Sequence, residues 1–245
     1  MKKTLILLFG IISYAIFLLT FLYAIGFVGN VFVPKTIDTG EEESMVFAVI
    51  YNVVLLSIFA IQHSVMARPA FKKWLTSFFS PAVERSIYVL LSSGALLLIF
   101  WKWQPMTTEV WNVENTMLVA IIEIIFWAGW IIVLISTFLI NHFHLFGLLQ
   151  VYDNFKNQTM SNPIFKKILF YKIVRHPLML GFIIGFWATP VMTYGHLLFA
   201  VVTTSYIFIA VKFLEERDLV KMHGDVYREY QKSTPMILPL TKFKK

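Results

Sequence analysis

The residues with the greatest chemical capacity are Arg175, His176 and Pro177, read together with the carboxylate pair Glu215 and Glu216 later in the chain. A guanidinium and an imidazole beside two carboxylates can hold a charged small molecule or move a proton. Each group borders an apolar run: residues 178–190 follow the first, and residues 194–214 precede the second. Two antiparallel helices joined by the short turn between those runs would bring both groups to one membrane face. His142 and His144 also invite attention, but at i and i+2 they point to different sides of a helix. With no cysteine and no nearby carboxylate to complete a ligand set, no metal is expected there.

The elements that must position these residues belong to a membrane protein. The 245 residues are 58% hydrophobic and 14% charged, against about 25% charged in an ordinary soluble domain. The absence of cysteine excludes disulfides, thiolate nucleophiles and Cys-ligated metals. The net charge of +7 sits in loops on one membrane side, where anionic lipid and topology account for it better than a nucleic acid does.

In chain order, residues 5–28 form a first span behind Lys2 and Lys3, too long for a cleaved signal. Residues 45–65 are the second span, after an acidic loop at 30–44. The stretch 68–85 is basic and amphipathic, with Arg68, Lys72, Lys73, Trp74, Phe78 and Phe79 suited to the interface. Spans three and four are 87–103 and 117–140, separated by a short acidic loop at 107–115. The expected fold is an all-α polytopic bundle of five to six transmembrane helices. A four-helix region at 1–140 precedes a C-terminal region at 141–245 whose helical hairpin forms a pocket facing the cytosol. Residues 177–190 reach only about 21 Å as a helix, short of the roughly 30 Å hydrocarbon core. If the hairpin supplies spans five and six, all of the 21 Lys and Arg except Lys35 and Lys102 fall on the N-terminal side. That asymmetry predicts both termini in the cytoplasm, in a bacterial cytoplasmic membrane.

Several polar residues also have plain readings. Arg175 and the paired glutamates could be interfacial charges ending helices, Glu123 is close enough to its helix start to snorkel, and His63 and His196 fit interfacial or core positions. Gly181 and Gly185 suit either a cofactor approaching the backbone or close helix packing.

The block Tyr171-x-x-x-Arg175-His176-Pro177-x-x-x-Gly181 is followed by Trp187, Pro190, Glu215-Glu216-x-x-Leu219, Gly224-x-x-Tyr227-x-x-Tyr230 and Pro235. It resembles the C-terminal half of the isoprenylcysteine carboxyl methyltransferase-like integral membrane methyltransferases. The stretches 21–30, 33–35 and 62–71, Glu84-Arg85-Ser86 and His142-Phe143-x-Leu145-Phe146-Gly147 resemble one branch of that family, the methanethiol S-methyltransferases. The resemblance runs over nearly the whole chain. It implies S-adenosylmethionine as methyl donor, a small volatile thiol as acceptor and dimethyl sulfide as product. It further implies that Tyr171, Arg175, His176, Pro177, Gly181, Glu215 and Glu216 line the donor pocket, with His144 and Leu145 as its other wall. The paired carboxylates would meet the ribose hydroxyls or the amino group, and Lys221 would be an anion contact. Arg175 would favour the thiolate, and the proton acceptor would be His142, His144 or Glu216. Membrane sterol reductases, which bind NADPH through a similar Arg-His-Pro-rich region, are the rival enzyme class, and a non-catalytic membrane protein is the other alternative. No oligomeric state follows from the sequence.

Overall fold

The computed structural model describes residues 2–159 and 167–239. Of the cations counted above, Lys166, Lys242, Lys244 and Lys245 lie outside the described residues. The chain is mostly helical, and among the described residues five helices are long and apolar enough to cross a membrane: α1 (Lys3–Gly29), α2 (Met45–Met66), α4 (Pro81–Lys102), α5 (Thr116–Ile140), and a last run, Tyr194–His223. Their outward side chains are apolar, with Leu19 67%, Val46 71% and Ile124 68% exposed. Such surfaces are stable only against lipid.

Contacts group the chain into two units, Met1–Thr107 with Asn141–Pro163 and Thr108–Ile140 with Ile164–Lys245. The helix at 116–140, which the sequence reading assigned to an N-terminal region, thus groups with the C-terminal part of the chain.

In the first unit α1 packs on α4, and Ile6, Ala82, Val83 and Val151 form a buried cluster at their shared end. A second cluster of Met66, Tyr88 and Val89 is covered by Phe17 and Phe146. The basic stretch after α2 holds one short helix, α3 (Pro69–Leu75), and its aromatics stay exposed: Trp74 56%, Phe78 69%. Ser80 then caps α4 by accepting from Ala82 N at 3.4 Å, and Pro81 begins the helix where its missing N–H costs nothing. Arg85 therefore lies inside α4 and not on the surface connection. After α5 come a single turn, α6 (His142–Leu145), and α7 (Leu148–Lys156).

In the second unit the loop expected at 107–115 contains β1 (Glu109–Asn112). It pairs antiparallel with β2 (Val191–Thr193), Trp111 opposite Met192. Between them in sequence lies α8 (Pro177–Trp187), 11 residues long, about 16 Å and too short to span alone. It lies tightly on α5: a Cβ on Gly181 would sit 2.7 Å from Gly129 O, and one on Gly129 would sit 2.8 Å from Gly185 N. α9 (Tyr194–Ala210) starts at Thr193, whose Oγ1 accepts from His196 N at 3.1 Å. The helix continues past the end of the apolar run at Leu214. A π-helical turn at Val211–Glu215 carries it into α10 (Glu216–His223), and α11 (Asp225–Ser233) follows after Gly224. The extra residue in a π turn rotates the following side chains relative to an unbroken α-helix, and such turns recur at functional sites.

Candidate functional site

Glu216, the first residue of α10, is the centre of the second unit's polar cluster. Its Oε1 accepts from Arg175 Nε at 2.9 Å, from His176 Nε2 at 2.7 Å and from Tyr227 Oη at 2.7 Å. Its Oε2 accepts from Arg175 Nη2 at 2.7 Å and from Gln231 Nε2 at 2.6 Å. Arg175, His176 and Glu216 are all buried. A carboxylate offers about four lone-pair sites, so five donors leave Glu216 no capacity to take a proton or to meet a ribose. Either role expected from the sequence, proton acceptor or ribose contact, would have to displace one of these donors.

The cluster forms because three segments supply complementary groups. Pro177 opens α8 at the position where proline suits a helix, which leaves Arg175 and His176 just ahead of it, outside the helix. Their backbone N–H groups donate to Pro235 O at 2.9 Å and Met236 O at 3.0 Å. Arg175 Nη1 also donates to the carbonyls of Gln231, at 3.3 Å, and Thr234. Thus the tail after α11 is strapped to the start of α8. Tyr230 Oη donates to the carbonyl of Tyr171.

Burial opposes charge on His176, yet the carboxylates overcome it. Glu215 Oε1 lies 3.5 Å from Nδ1 and Glu216 grips Nε2, and together they push the imidazole up to about 9. It is an imidazolium at neutral pH. Burial, and then the negative carboxylates, push the Tyr171 and Tyr227 phenols upward, so both stay neutral. Glu215 is 45% exposed, against 7% for the side chain of its neighbour.

Beside the cluster is a cavity of about 790 Å³ lined by Arg175, Lys212, Glu216, Arg217, Val220, Lys221, Gln231 and Met236. Four cations and one saturated carboxylate make it an anion-accepting space, with Val220 and Met236 as apolar walls. Lys221 is among the lining cations. Gly181 does not: it faces Gly129 and Val133 of α5, so of the two readings left open for it the structure favours helix packing.

The remaining predicted residues belong to the first unit. His142 Nε2 is 2.8 Å from Tyr14 Oη of α1, and its ring lies edge-on to Phe146 at 4.9 Å and to Phe143 at 5.4 Å. Burial pushes the imidazole down from its ordinary value, so it is neutral at neutral pH. His144 N donates to Asn141 Oδ1 at 3.1 Å, and Leu145 O accepts from Arg85 Nε at 2.6 Å. Sequence reasoning missed the parts played by Tyr227, Gln231, Tyr14 and Arg85. Tyr227 and Arg85 were signalled only as parts of the motifs that carry the family resemblance; Tyr14, a lone tyrosine in an apolar run, gave no signal.

Among the described residues, five membrane-length helices and a buried Arg–His–Glu cluster beside a cationic cavity define a polytopic integral membrane protein. Residues 52–220 match the family described as NnrU protein. Over 237 residues the chain is 53% identical to methanethiol S-methyltransferase 1 of Bradyrhizobium diazoefficiens, covering 97% of this chain and 83% of that protein. It is 50% identical to the methanethiol S-methyltransferase of Crocosphaera subtropica, over 98% of this chain and 93% of that one. To the Mycobacterium tuberculosis methanethiol S-methyltransferase it is 51% identical, over 98% of both chains. The chain therefore belongs to the NnrU family and to the methanethiol S-methyltransferases, a family of methyl-transferring enzymes. No solved structure matches it.

Proposed function

We propose that this protein methylates methanethiol with S-adenosylmethionine, giving dimethyl sulfide and S-adenosylhomocysteine. The observation that carries the reading is identity of about half over nearly the full length of relatives that bear the name methanethiol S-methyltransferase. The cavity in the second unit supports it. The donor ends in a carboxylate, and Lys212, Arg217 and Lys221 would hold that end, while Val220 and Met236 offer apolar surface. S-adenosylmethionine, when bound, supplies a methyl group already activated on a sulfonium, so a thiolate acceptor needs no further electrophilic help. The protein's own task is to align, exclude water and remove one proton.

Arg175, His176 and Glu216 act by holding the cavity wall. With Glu215 beside His176 the two cations meet two carboxylates, and the strap from Pro235 to Met236 fixes the start of α8. Tyr171, Pro177 and Glu215 take part in the same way, as supports of that wall. Proton removal falls to His142, because Glu216 is saturated and His176 is already charged. Tyr14 Oη lies 2.8 Å from His142 Nε2; in the tautomer with Nε2 unprotonated the phenol donates, and a thiol proton passed to Tyr14 Oη is matched by the tyrosine's own proton moving to the imidazole. His144 and Leu145 are placed here as neighbours that hold this turn, through Asn141 and Arg85. The positive-inside asymmetry supports cytoplasmic termini and a cytosol-facing donor cavity in a bacterial cytoplasmic membrane.

The test is gas chromatography of the headspace over membranes given methanethiol and S-adenosylmethionine. Dimethyl sulfide is expected, and its absence with folded protein sinks the reading. S-adenosylhomocysteine should also raise the melting temperature of the detergent-solubilised protein, whereas NADPH should not.

A further inference from the structure

A second cavity, of about 310 Å³, lies in the first unit and is lined by Lys3, Ile6, Phe78, Phe79, Ser80 and Asn154. Ile6 of α1 packs with Ala82 and Val83 of α4, so the two membrane helices begin side by side and the cavity lies at their common start. That is the level at which hydrocarbon gives way to headgroups.

The polar groups there suit an anion. Lys3 brings an ammonium. Asn154 Nδ2 is buried and has no hydrogen-bond partner, a cost that a ligand oxygen would remove. The Ser80 hydroxyl at the start of α4 adds a further donor, and Glu84, the acidic residue of that first turn, is not among the lining residues. No carboxylate is among the lining residues; Asp153, next to Asn154 in sequence, is buried elsewhere on α7. The flanks are apolar and open: Phe78 and Phe79 are 69% and 48% exposed, and Leu5 and Leu8 on α1 are 53% and 48% exposed. Lys2, Arg68, Lys72 and Lys73 belong to the same cationic set of loops.

We propose that this cavity binds the phosphate of an acidic phospholipid, whose acyl chains lie along Leu5, Leu8 and the exposed phenylalanines. Donors at the headgroup level combined with apolar surface running into the bilayer fit a lipid and not a soluble anion, which would leave the phenylalanines without a role. The site is independent of the catalytic reading. A lipid held there would fasten the surface stretch around α3 to the membrane helices.

The full-length protein in detergent is given phosphatidylglycerol, phosphatidylcholine or inorganic phosphate, and lipid retention is read by native mass spectrometry beside the melting temperature. Wild type should retain phosphatidylglycerol about fivefold better than phosphatidylcholine, the worth of one well-placed lysine at an anionic surface. Lys3→Gln with Asn154→Leu should abolish that preference, and Asn154→Asp, which keeps the size but replaces donors by acceptors, should weaken it if the double variant fails to fold. Lys72→Gln with Lys73→Gln should leave it in place. The proposal is overturned if wild type shows no preference, if the Lys72/Lys73 variant loses as much as the cavity variants, or if inorganic phosphate alone reproduces the thermal shift.

Discussion

Two buried polar clusters sit in this protein, one in each unit, and they solve opposite problems. Around Glu216 a carboxylate, a guanidinium and an imidazolium are packed together, with every acceptor position filled by Arg175, His176, Tyr227 and Gln231. Around His142 the groups are neutral: a phenol and an imidazole joined at 2.8 Å among the rings of Phe143 and Phe146. Charges inside an apolar protein persist only when they are paired and saturated, and saturation removes their reactivity. A neutral pair costs less to bury and keeps its proton exchangeable. On the proposed reading the richer constellation is the support, and the plainer one is the proton acceptor.

The strongest way to break this comparison is to remove Glu216. Glu216→Ala leaves Arg175 and His176 buried without their counter-charge and should cost about 3–5 kcal/mol, measured by denaturant or thermal unfolding in detergent, with the S-adenosylhomocysteine shift lost. A near-wild-type unfolding curve would mean the cluster is not structural. The next largest effect concerns rate. His142→Gln should keep the wild-type melting temperature within a few degrees but reduce turnover of methanethiol by about a hundredfold. Methaneselenol, which is similar in size and already ionised near neutral pH, should be affected far less. Equal losses on the two acceptors would remove His142 from proton transfer.

The smallest effect sharpens the contrast through pH. His176 titrates near 9 in the folded protein, raised from 6.5, so the folded state binds its proton more tightly than the unfolded chain does. Its stabilisation is whole below about pH 6.5 and is lost as pH rises through about 9. The melting temperature of wild type should fall across that window, and that of His176→Gln should fall less.

Much of this was legible along the chain, because a span of apolar residues announces itself by length. Three of the four N-terminal spans were bounded to within two residues, while the third begins six residues earlier than expected, at Pro81; Arg175, His176 and the paired glutamates were singled out by charge at the ends of apolar runs. What was missed depends on the third dimension. Glu215 and Glu216 are adjacent in sequence and chemically identical, yet a π turn leaves one half exposed and buries the other under five donors. Tyr14 and His142 are 128 residues apart, and no local pattern links them. Gly129 and Gly181 meet across two helices because neither has a side chain, a fact that either glycine alone does not reveal.

Composition and hydropathy by themselves determined a helical protein that lives in lipid, since exposed leucine and isoleucine on this scale have no other stable solvent, and motif spacing pointed to the methyl-transferring family. Only the folded chain decided which charges neutralise one another and which cavity is left with cations at its rim. The reason is directional: hydrophobic burial follows from residue type alone, whereas a hydrogen bond or an ion pair exists only when distant segments deliver donor and acceptor within about 3 Å of each other.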